Sequence, residues 1–307
     1  MVSVIDLQFL GRPRAIATGV VDTPSGVLLV DPGPTTCLAT LEGALAQAGI
    51  GPSDLHGLLL THIHLDHAGA TGTLVARRPH LTVYVHERGA PHLIDPGKLL
   101  ASAQRLYGAD MDRLWGEFAL VPAGRVRVLV DGETLRFGSA RIEVAYTRGH
   151  ASHHACFFDA RTGVAYAGDT GGIRVGPSPY VLPPTPPPDI DIARWLGSLD
   201  RIRAWDPAAV FVTHFGLHAG AGVHLDALRA ELVRWDALTA QLMTREPDPG
   251  RRKARFIDDV RAHVAACVTP AEADAYRLAM SLDDCWTGLA RYWDKQHGDG
   301  GPRPAAP

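Results

Sequence analysis

The sequence predicts an α+β protein, two β-sheets packed face to face with helices on their outer sides, followed by a helical extension. Three observations carry this. Short apolar or alternating runs fall into two sets, one up to residue 85 and one between 125 and 212. Helical spacing closes each set, at 36–48 and at 191–205. After Gly216 the strand-like runs stop and only helical periodicity remains.

In the first set, residues 2–9, 15–21 and 26–30 read as a strand meander, with Thr23-Pro24-Ser25-Gly26 as a turn. The last of these strands ends in Asp31-Pro32-Gly33-Pro34. Leu38, Leu41, Leu45 and Ala48 give the following helix its apolar stripe. Residues 56–61 form a buried strand that feeds Thr61-His62-Ile63-His64-Leu65-Asp66-His67, and small residues over 68–76 open a helix. Residues 81–85 are another strand. The stretch 96–119 is helical and too long for a plain connection; insertions of that kind often cover a site, while its aromatics Tyr107 and Trp115 read as packing.

The second set comprises strands at 125–130, 133–137 and 141–146, joined by Asp131-Gly132 and Gly138-Ser139 hairpin turns, then 155–159, 164–168 and a last strand at 208–212. Residues 177–188 are too proline-rich for regular structure and read as an extended loop. In the extension, helices are predicted at 225–243 and 251–268. A third starts from Thr269-Pro270-Ala271-Glu272, a capping box with proline in the first turn, and runs to about Lys295. The domain reading is therefore 1–216 for the sandwich and 217–297 for the helices, with a Gly/Pro-rich, disordered tail at 298–307.

Composition narrows the function. The chain has 307 residues, 46% hydrophobic and 21% charged, an ordinary soluble balance. A net charge of −3 offers no bulk attraction to nucleic acid or anionic membrane, and the run Arg251-Arg252-Lys253-Ala254-Arg255 reads as a solvated helix face. Cys37, Cys156, Cys267 and Cys285 have no paired spacing, which suits reduced thiols and a cytoplasmic location. No signal peptide and no membrane span are expected. The partner implied is a small-molecule substrate, with a homodimer as an open possibility. Fifteen histidines is the one unusual count.

Those histidines are placed tellingly. His62 and His64, two apart in extended backbone, point to one side. Asp66 and His67 follow the turn into a helix and aim elsewhere. This arrangement suits two cations side by side, and neutral imidazole and carboxylate are the usual ligands of zinc and similar divalent ions. His150, Asp169 and His214 also lie just past strand ends. Asp31 does too, either as a turn aspartate or as a carboxylate orienting a ligand.

These residues resemble the metallo-β-lactamase superfamily. His62-Ile63-His64-Leu65-Asp66-His67 matches its His-x-His-x-Asp-His signature in full. Gly149-His150 with Ser152-His153 is similar to its Gly-His-x-x-Gly-His segment, with Ser152 read at the glycine. Gly168-Asp169, Thr213-His214-Phe215-Gly216 and Val30-Asp31-Pro32-Gly33 are similar to three further segments. The resemblance covers about residues 1–216, and the helical extension places it nearest the glyoxalase II-like branch, though without a glutathione-binding pattern. It implies a four-layer αββα sandwich and two divalent ions, zinc first, with iron or manganese as alternatives. By that likeness His62, His64 and His150 hold one ion, Asp66, His67 and His214 the other, and Asp169 bridges them. Asp66 and Asp31 take catalytic roles, the first steering hydroxide or a proton, the second orienting the cluster. His153 is a non-ligand; it or His154 supports the ligands or lies at the surface. Tyr180, Phe215, His218 and Trp286 are candidates for the substrate pocket, each with plain packing as the alternative.

The implied activity is hydrolysis of a thioester, ester or lactone of a small molecule by a metal-bridging hydroxide. The alternatives of the same fold are a mononuclear iron oxidoreductase of the persulfide dioxygenase type and a phosphodiesterase or ribonuclease; the charge balance disfavours the last.

Overall fold

A computed structural model describes residues 3–298, so most of the tail expected at 298–307 lies outside the described residues. Its first sheet holds β1 (Val4–Asp6), β2 (Ala17–Thr23), β3 (Gly26–Val30), β4 (Leu55–Leu59), β5 (Thr82–Val85) and β6 (Val126–Val128), in that spatial order. The second holds β7 (Thr134–Phe137), β8 (Ala140–Tyr146), β9 (Ala155–Asp159), β10 (Val164–Tyr166), β11 (Ala209–Val212) and β12 (Gly216–Ala219), also as neighbours in sequence order. Helices α1 (Leu38–Gln47), α2 (Leu65–Ala68), α3 (Thr71–Arg77), α4 (Ala90–Ile94), α5 (Gly97–Tyr107) and α6 (Met111–Leu114) connect the first sheet. The second is served by α7 (Ile192–Ala204), α8 (Ala221–Arg245), α9 (Pro249–Cys267), α10 (Pro270–Ala279) and α11 (Leu282–His297).

Strands apolar on both faces explain the layering. Leu28, Val30 and Leu59 face inward onto Phe137, Ile142, Phe157, Tyr166 and Phe211, forming the core between the sheets. Val27, Leu29 and Leu58 face outward onto Leu38, Leu41 and Leu45 of α1. On the other side, Cys156, Phe158, Val210 and Val212 meet Trp195 and Leu199 of α7 and the helices of the extension in one continuous cluster. A sheet covered on both faces requires near-continuous apolar runs, which these strands supply. The result is the four-layer αββα sandwich with a helical region after residue 220.

Three local expectations need correction. Residues 125–130, assigned to the second set, supply β6, which pairs parallel with β5 (Val83 opposite Val126) and closes the first sheet. A parallel neighbour needs a long crossover, and the helical stretch after β5 provides it. Residues 216–219, split by the 216/217 domain boundary, form β12, antiparallel to β11 with Val210 opposite His218. The helix expected from Pro270 to about Lys295 is two: the chain extends at Met280–Ser281 and Ser281 caps α11 by accepting the Asp284 N–H at 3.2 Å. The capping box at Thr269 and Glu272 is present.

Candidate metal centre

Parallel pairing of β3 with β4 sets the ends of the two strands side by side, and the Asp31 N–H donates to Leu59 C=O at 3.1 Å. Asp31 is buried with φ +53°, a left-handed conformation that aspartate and asparagine tolerate better than most residues. Its Oδ1 accepts the Thr61 N–H at 2.8 Å. Its Oδ2 accepts from Thr61 Oγ1 at 2.7 Å, Thr213 Oγ1 at 2.9 Å and His67 Nδ1 at 2.8 Å. The carboxylate thus fixes the His67 tautomer: the proton sits on Nδ1 and the Nε2 lone pair faces the cluster.

The same logic holds for other rings. His150 Nδ1 donates to Pro184 C=O at 2.9 Å and His214 Nδ1 to Ala15 C=O at 2.8 Å, so each turns Nε2 inward. Thr61 Oγ1, its own proton given to Asp31, accepts from His62 Nδ1 at 3.1 Å and leaves His62 Nε2 free. His62 Nε2, His64 Nδ1 and His150 Nε2 then converge, with His64 Nδ1 2.9 Å from His62 Nε2 and 3.1 Å from His150 Nε2. On the other side His67 Nε2 lies 3.6 Å from Asp66 Oδ2, and His214 Nε2 lies 3.2 Å from the same oxygen. Asp169 stands between the two sets: Oδ2 is 3.4 Å from His150 Nε2, and Oδ1 is 3.3 Å from His67 Nε2 and 3.7 Å from His214 Nε2.

This donor set fits metal. His67 Nε2 and Asp169 Oδ1 are buried with no hydrogen-bond partner, which is costly for polar atoms unless an electrophile takes their lone pairs. The groups His62–His64–His150 and Asp66–His67–His214 each hold three ligand atoms within 4.8 Å of one another, as does His62–His67–Asp169. Burial drives His62 well below the usual imidazole range and, with His150 beside it, takes His64 to about 4, so both present neutral nitrogens. Burial opposes charge on Asp66 and Asp169, yet the neighbouring His67 and His214 outweigh it, holding Asp66 at about 2 and Asp169 well below its ordinary value. Burial likewise opposes charge on His67 and His214, and the carboxylates override it, raising both. The pocket therefore favours positive charge at its centre.

Gly168, at φ +47°, lets the chain pass close beneath this cluster: a Cβ there would meet Thr61 Oγ1 at 2.5 Å. His154 is the supporting residue the sequence left undecided. It is fully buried, its Nδ1 lies 3.0 Å from Thr147 Oγ1, and its Nε2 accepts the Thr170 N–H at 3.3 Å, bracing the loop that carries Asp169. Counted from Gly149, it is also the sixth residue, where the second histidine of Gly-His-x-x-Gly-His belongs; His153 stands at the glycine. That count was the available signal.

A cavity of about 450 Å³ opens over His64, Asp66, His150, Asp169 and His214. Its walls come from α5 (Lys98, Leu99, Ser102, Ala103, Leu106, Tyr107), from the proline-rich loop (Pro184, Pro186, Pro187, Pro188) and from the extension (Ala279, Met280, Asp284). The insertion and the extension together thus form the pocket, and Tyr107, read as packing, lines it. None of the four aromatic or histidine candidates does. Tyr180 is buried in the helical core, receiving the Tyr276 O–H on its carbonyl at 2.7 Å. Phe215 lies under the Arg14 guanidinium, 4.8 Å from ring centre to carbon. His218 of β12 stacks on His224 of α8, and Trp286 packs on Phe256. Residue type and proximity to a motif in sequence say nothing about which way a side chain turns.

With the geometry in place, the comparisons agree. The metallo-beta-lactamase superfamily matches residues 11–214, and this chain belongs to it. Among curated relatives, the metallo-beta-lactamase fold-containing protein ST1585 of Sulfurisphaera tokodaii is 30% identical over 52% of this chain and 60% of its own length. A hydroxyacylglutathione hydrolase of Synechococcus sp. is 26% identical over 64% of this chain and 58% of its own. The chain thus spans about three fifths of the length of these relatives. Among solved structures, the metallo-beta-lactamase family protein TTHA1429 of Thermus thermophilus superposes with a TM-score of 0.70 over 98% of this chain and 96% of its own, at 23% identity. At that identity the likeness is one of fold, and its coverage includes the helical extension. The class so defined is a metallo-beta-lactamase superfamily protein with a His/Asp cluster that could hold metal. Among the described residues no helix is long and apolar enough to cross a membrane.

Proposed function

We propose that this protein is a dinuclear metal-dependent hydrolase, zinc being the first choice of metal, that cleaves the thioester, ester or lactone bond of a small molecule. The observation that carries the reading is Asp169, whose two carboxylate oxygens face different histidine sets, Oδ2 toward His150 and Oδ1 toward His67 and His214. A carboxylate so placed suits a bridge between two ions, with His62, His64 and His150 on one and Asp66, His67 and His214 on the other. Such a pair supplies hydroxide near neutral pH and polarises the substrate carbonyl.

The chain's own groups do the rest. Asp66 is the most open of the carboxylates facing the cluster, its side chain 23% exposed against 6% for Asp169. Its Oδ2 lies 3.2 Å from His214 Nε2 and its carboxylate lines the cavity, which suits it to orient the attacking water and relay a proton to the leaving group. Asp31, with no access to the cavity, keeps His67 in the ligating tautomer. The proline-rich loop and α5 narrow the opening and exclude bulk water. A cavity of about 450 Å³ suits a small molecule rather than a polymer. Two names among the relatives point to thioesters: the hydroxyacylglutathione hydrolases, and a thioesterase, pkgB, of Emericella nidulans, 28% identical over 36% of this chain and 23% of its own length.

The test is metal content of the purified protein together with a panel of thioesters, lactones and phosphodiesters, with oxygen uptake followed in parallel. Two equivalents of metal with ester or thioester turnover support the reading. Asp169→Ala is expected to lose one equivalent and the activity. Retention of both metals with near-normal turnover, or oxygen uptake on a single iron, overturns it.

A further inference from the structure

The cavity over the cluster is chemically two-sided. Along α5, Leu99, Ala103 and Leu106 follow one another at helical spacing toward the cavity, and Met280 faces in from the extension. Leu106, 49% exposed, carries this apolar strip to the mouth of the pocket. Beside this strip stand Arg88, His92 and Lys98. Several surface cations are paired, Arg77 and Arg78 with Glu42, Arg127 with Glu133 and Arg201 with Asp131. The side chains of Arg88, His92 and Lys98 make no hydrogen bond or ion pair with any described residue. The cavity's outer acids are disposed otherwise. Asp189 is taken by Ser152, whose hydroxyl donates at 2.5 Å, and Asp284 sits in the first turn of α11, where the helix N-terminus favours its charge.

A pocket that sets three unpartnered basic groups beside an apolar strip matches a ligand with an aliphatic segment and a negative charge. Resting on the hydrolase reading above, we propose that the substrate is an anionic thioester or ester of an aliphatic acyl chain. The chain lies along Leu99, Ala103 and Leu106, and the carboxylate or phosphate, remote from the scissile carbonyl, is held by Arg88 and Lys98 with His92 as a further polar contact. Asp284 repels that charge and so fixes which way round the substrate enters. In the reaction, water adds to the carbonyl carbon and the C–S or C–O bond breaks. The thiol or alcohol leaves with one proton, the acid releases the other, and no electron is transferred. Arg88 and Lys98 act on binding alone, since they lie on the cavity rim and not among the ligands.

Matched thioesters test this: hexanoyl against adipoyl, which adds a terminal carboxylate to the acyl half, and pantetheine against 4′-phosphopantetheine, which adds a phosphate to the thiol half. On the metal-loaded protein, one anionic member is expected to exceed its neutral twin in kcat/KM by about tenfold, through KM, as two solvent-exposed ion pairs allow. The pair that responds identifies the half that bears the charge. The Arg88→Glu/Lys98→Glu double variant is expected to erase that ratio. Calorimetry with the corresponding thioethers, which cannot be hydrolysed, reads the same preference without turnover. A ratio near one in both pairs, or a ratio the double variant leaves intact, overturns the proposal. If no thioester turns over while the thioethers still show the charge preference, the pocket's preference for an anionic aliphatic ligand stands and the hydrolase reading falls.

Discussion

Replacing Asp31 by asparagine isolates one proton. Asparagine keeps the shape of the side chain and accepts the left-handed backbone at φ +53°, so folding is not the confounding variable it would be for valine or alanine. One end of the new amide still accepts the Thr61 N–H, now 2.8 Å from Oδ1. The other end becomes an NH2 group facing three donors, Thr61 Oγ1, Thr213 Oγ1 and His67 Nδ1. The two hydroxyls can rotate and accept. The imidazole can accept only by moving its proton from Nδ1 to Nε2, the nitrogen whose lone pair the centre needs. Either His67 keeps its tautomer against a buried donor–donor clash, or it stops being a ligand. Loss of such a supporting carboxylate typically costs 10–100-fold in metal affinity, about 1.4–2.7 kcal/mol. The deficit falls on the site shared with Asp66 and His214, and the site of His62, His64 and His150 is spared to first order. Titration against a chromophoric chelator resolves the two steps. Two unchanged affinities in a variant with native circular dichroism would refute the assignment of Asp31 as the group that sets the His67 tautomer.

Two further predictions concern the scaffold. Gly72→Ala places a Cβ 2.0 Å from the carbonyl oxygen of Ala119, a main-chain atom that cannot swing away, so α3 must shift from the 119–120 segment; thermal unfolding is expected to show a loss of about 2–3 kcal/mol, and an unchanged midpoint would contradict the packing. Glu272 is opposed by burial, but the N–H and hydroxyl groups of Ser178 and Thr269 donate to it at 2.8–2.9 Å and bring it down to about 2. A carboxylate lowered in the folded state stabilises above its unfolded value, near 4.5, and that contribution fades as pH falls toward 2. Glu272→Gln is therefore expected to cost about 1 kcal/mol at pH 7, the size of a lost cap, and progressively less on acidification below pH 4.5; urea unfolding at pH 7 and pH 3 decides, and a penalty that grows in acid would reverse the sign.

What the sequence makes legible follows from which interactions are local. The 61–67 stretch carries its own geometry, because a strand end and a helix start dictate where four adjacent side chains point. Asp31, His150, Asp169 and His214 are visible for the same reason, each standing just past an apolar run that becomes β3, β8, β10 or β11. Long-range pairing is not visible in this way. Gly216-Leu217-His218-Ala219 has too little apolar character to read as a strand, and it becomes one because β11 offers an open edge. The membership of Val126–Val128 in the first sheet depends on a crossover through α4, α5 and α6, which no local pattern encodes. The pocket wall is hidden for a third reason. Leu99, Leu106 and Tyr107 have the helical spacing of an ordinary packed face, and only the position of the extension decides that they face a cavity instead.

The same distinction separates the floor of the site from its roof. At the rim where the ligands sit, the two sheets bond to each other directly. Ala155 N–H of β9 donates to Thr61 C=O at 2.7 Å, and Ala17 N–H of β2 donates to Thr213 C=O at 2.8 Å. Asp31 completes the stitching by accepting from Thr61 after β4 and Thr213 after β11 through one carboxylate. The residues of the His/Asp cluster are mounted on this seam and held by strands from both sheets, which preorganises the cluster. The roof is tied through bonds that involve side chains: Thr185 Oγ1 donates to Cys285 C=O at 3.2 Å and the Tyr276 O–H to Tyr180 C=O at 2.7 Å. It is built from α5, the proline-rich loop and the α10–α11 corner, which meet over the cavity largely through side chains. Because His150 Nδ1 donates to Pro184 C=O, the proline-rich loop also supports a ligand, so changes there are expected to disturb the centre, whereas changes at Leu99 or Leu106 of α5 reshape what enters without touching a ligand's support.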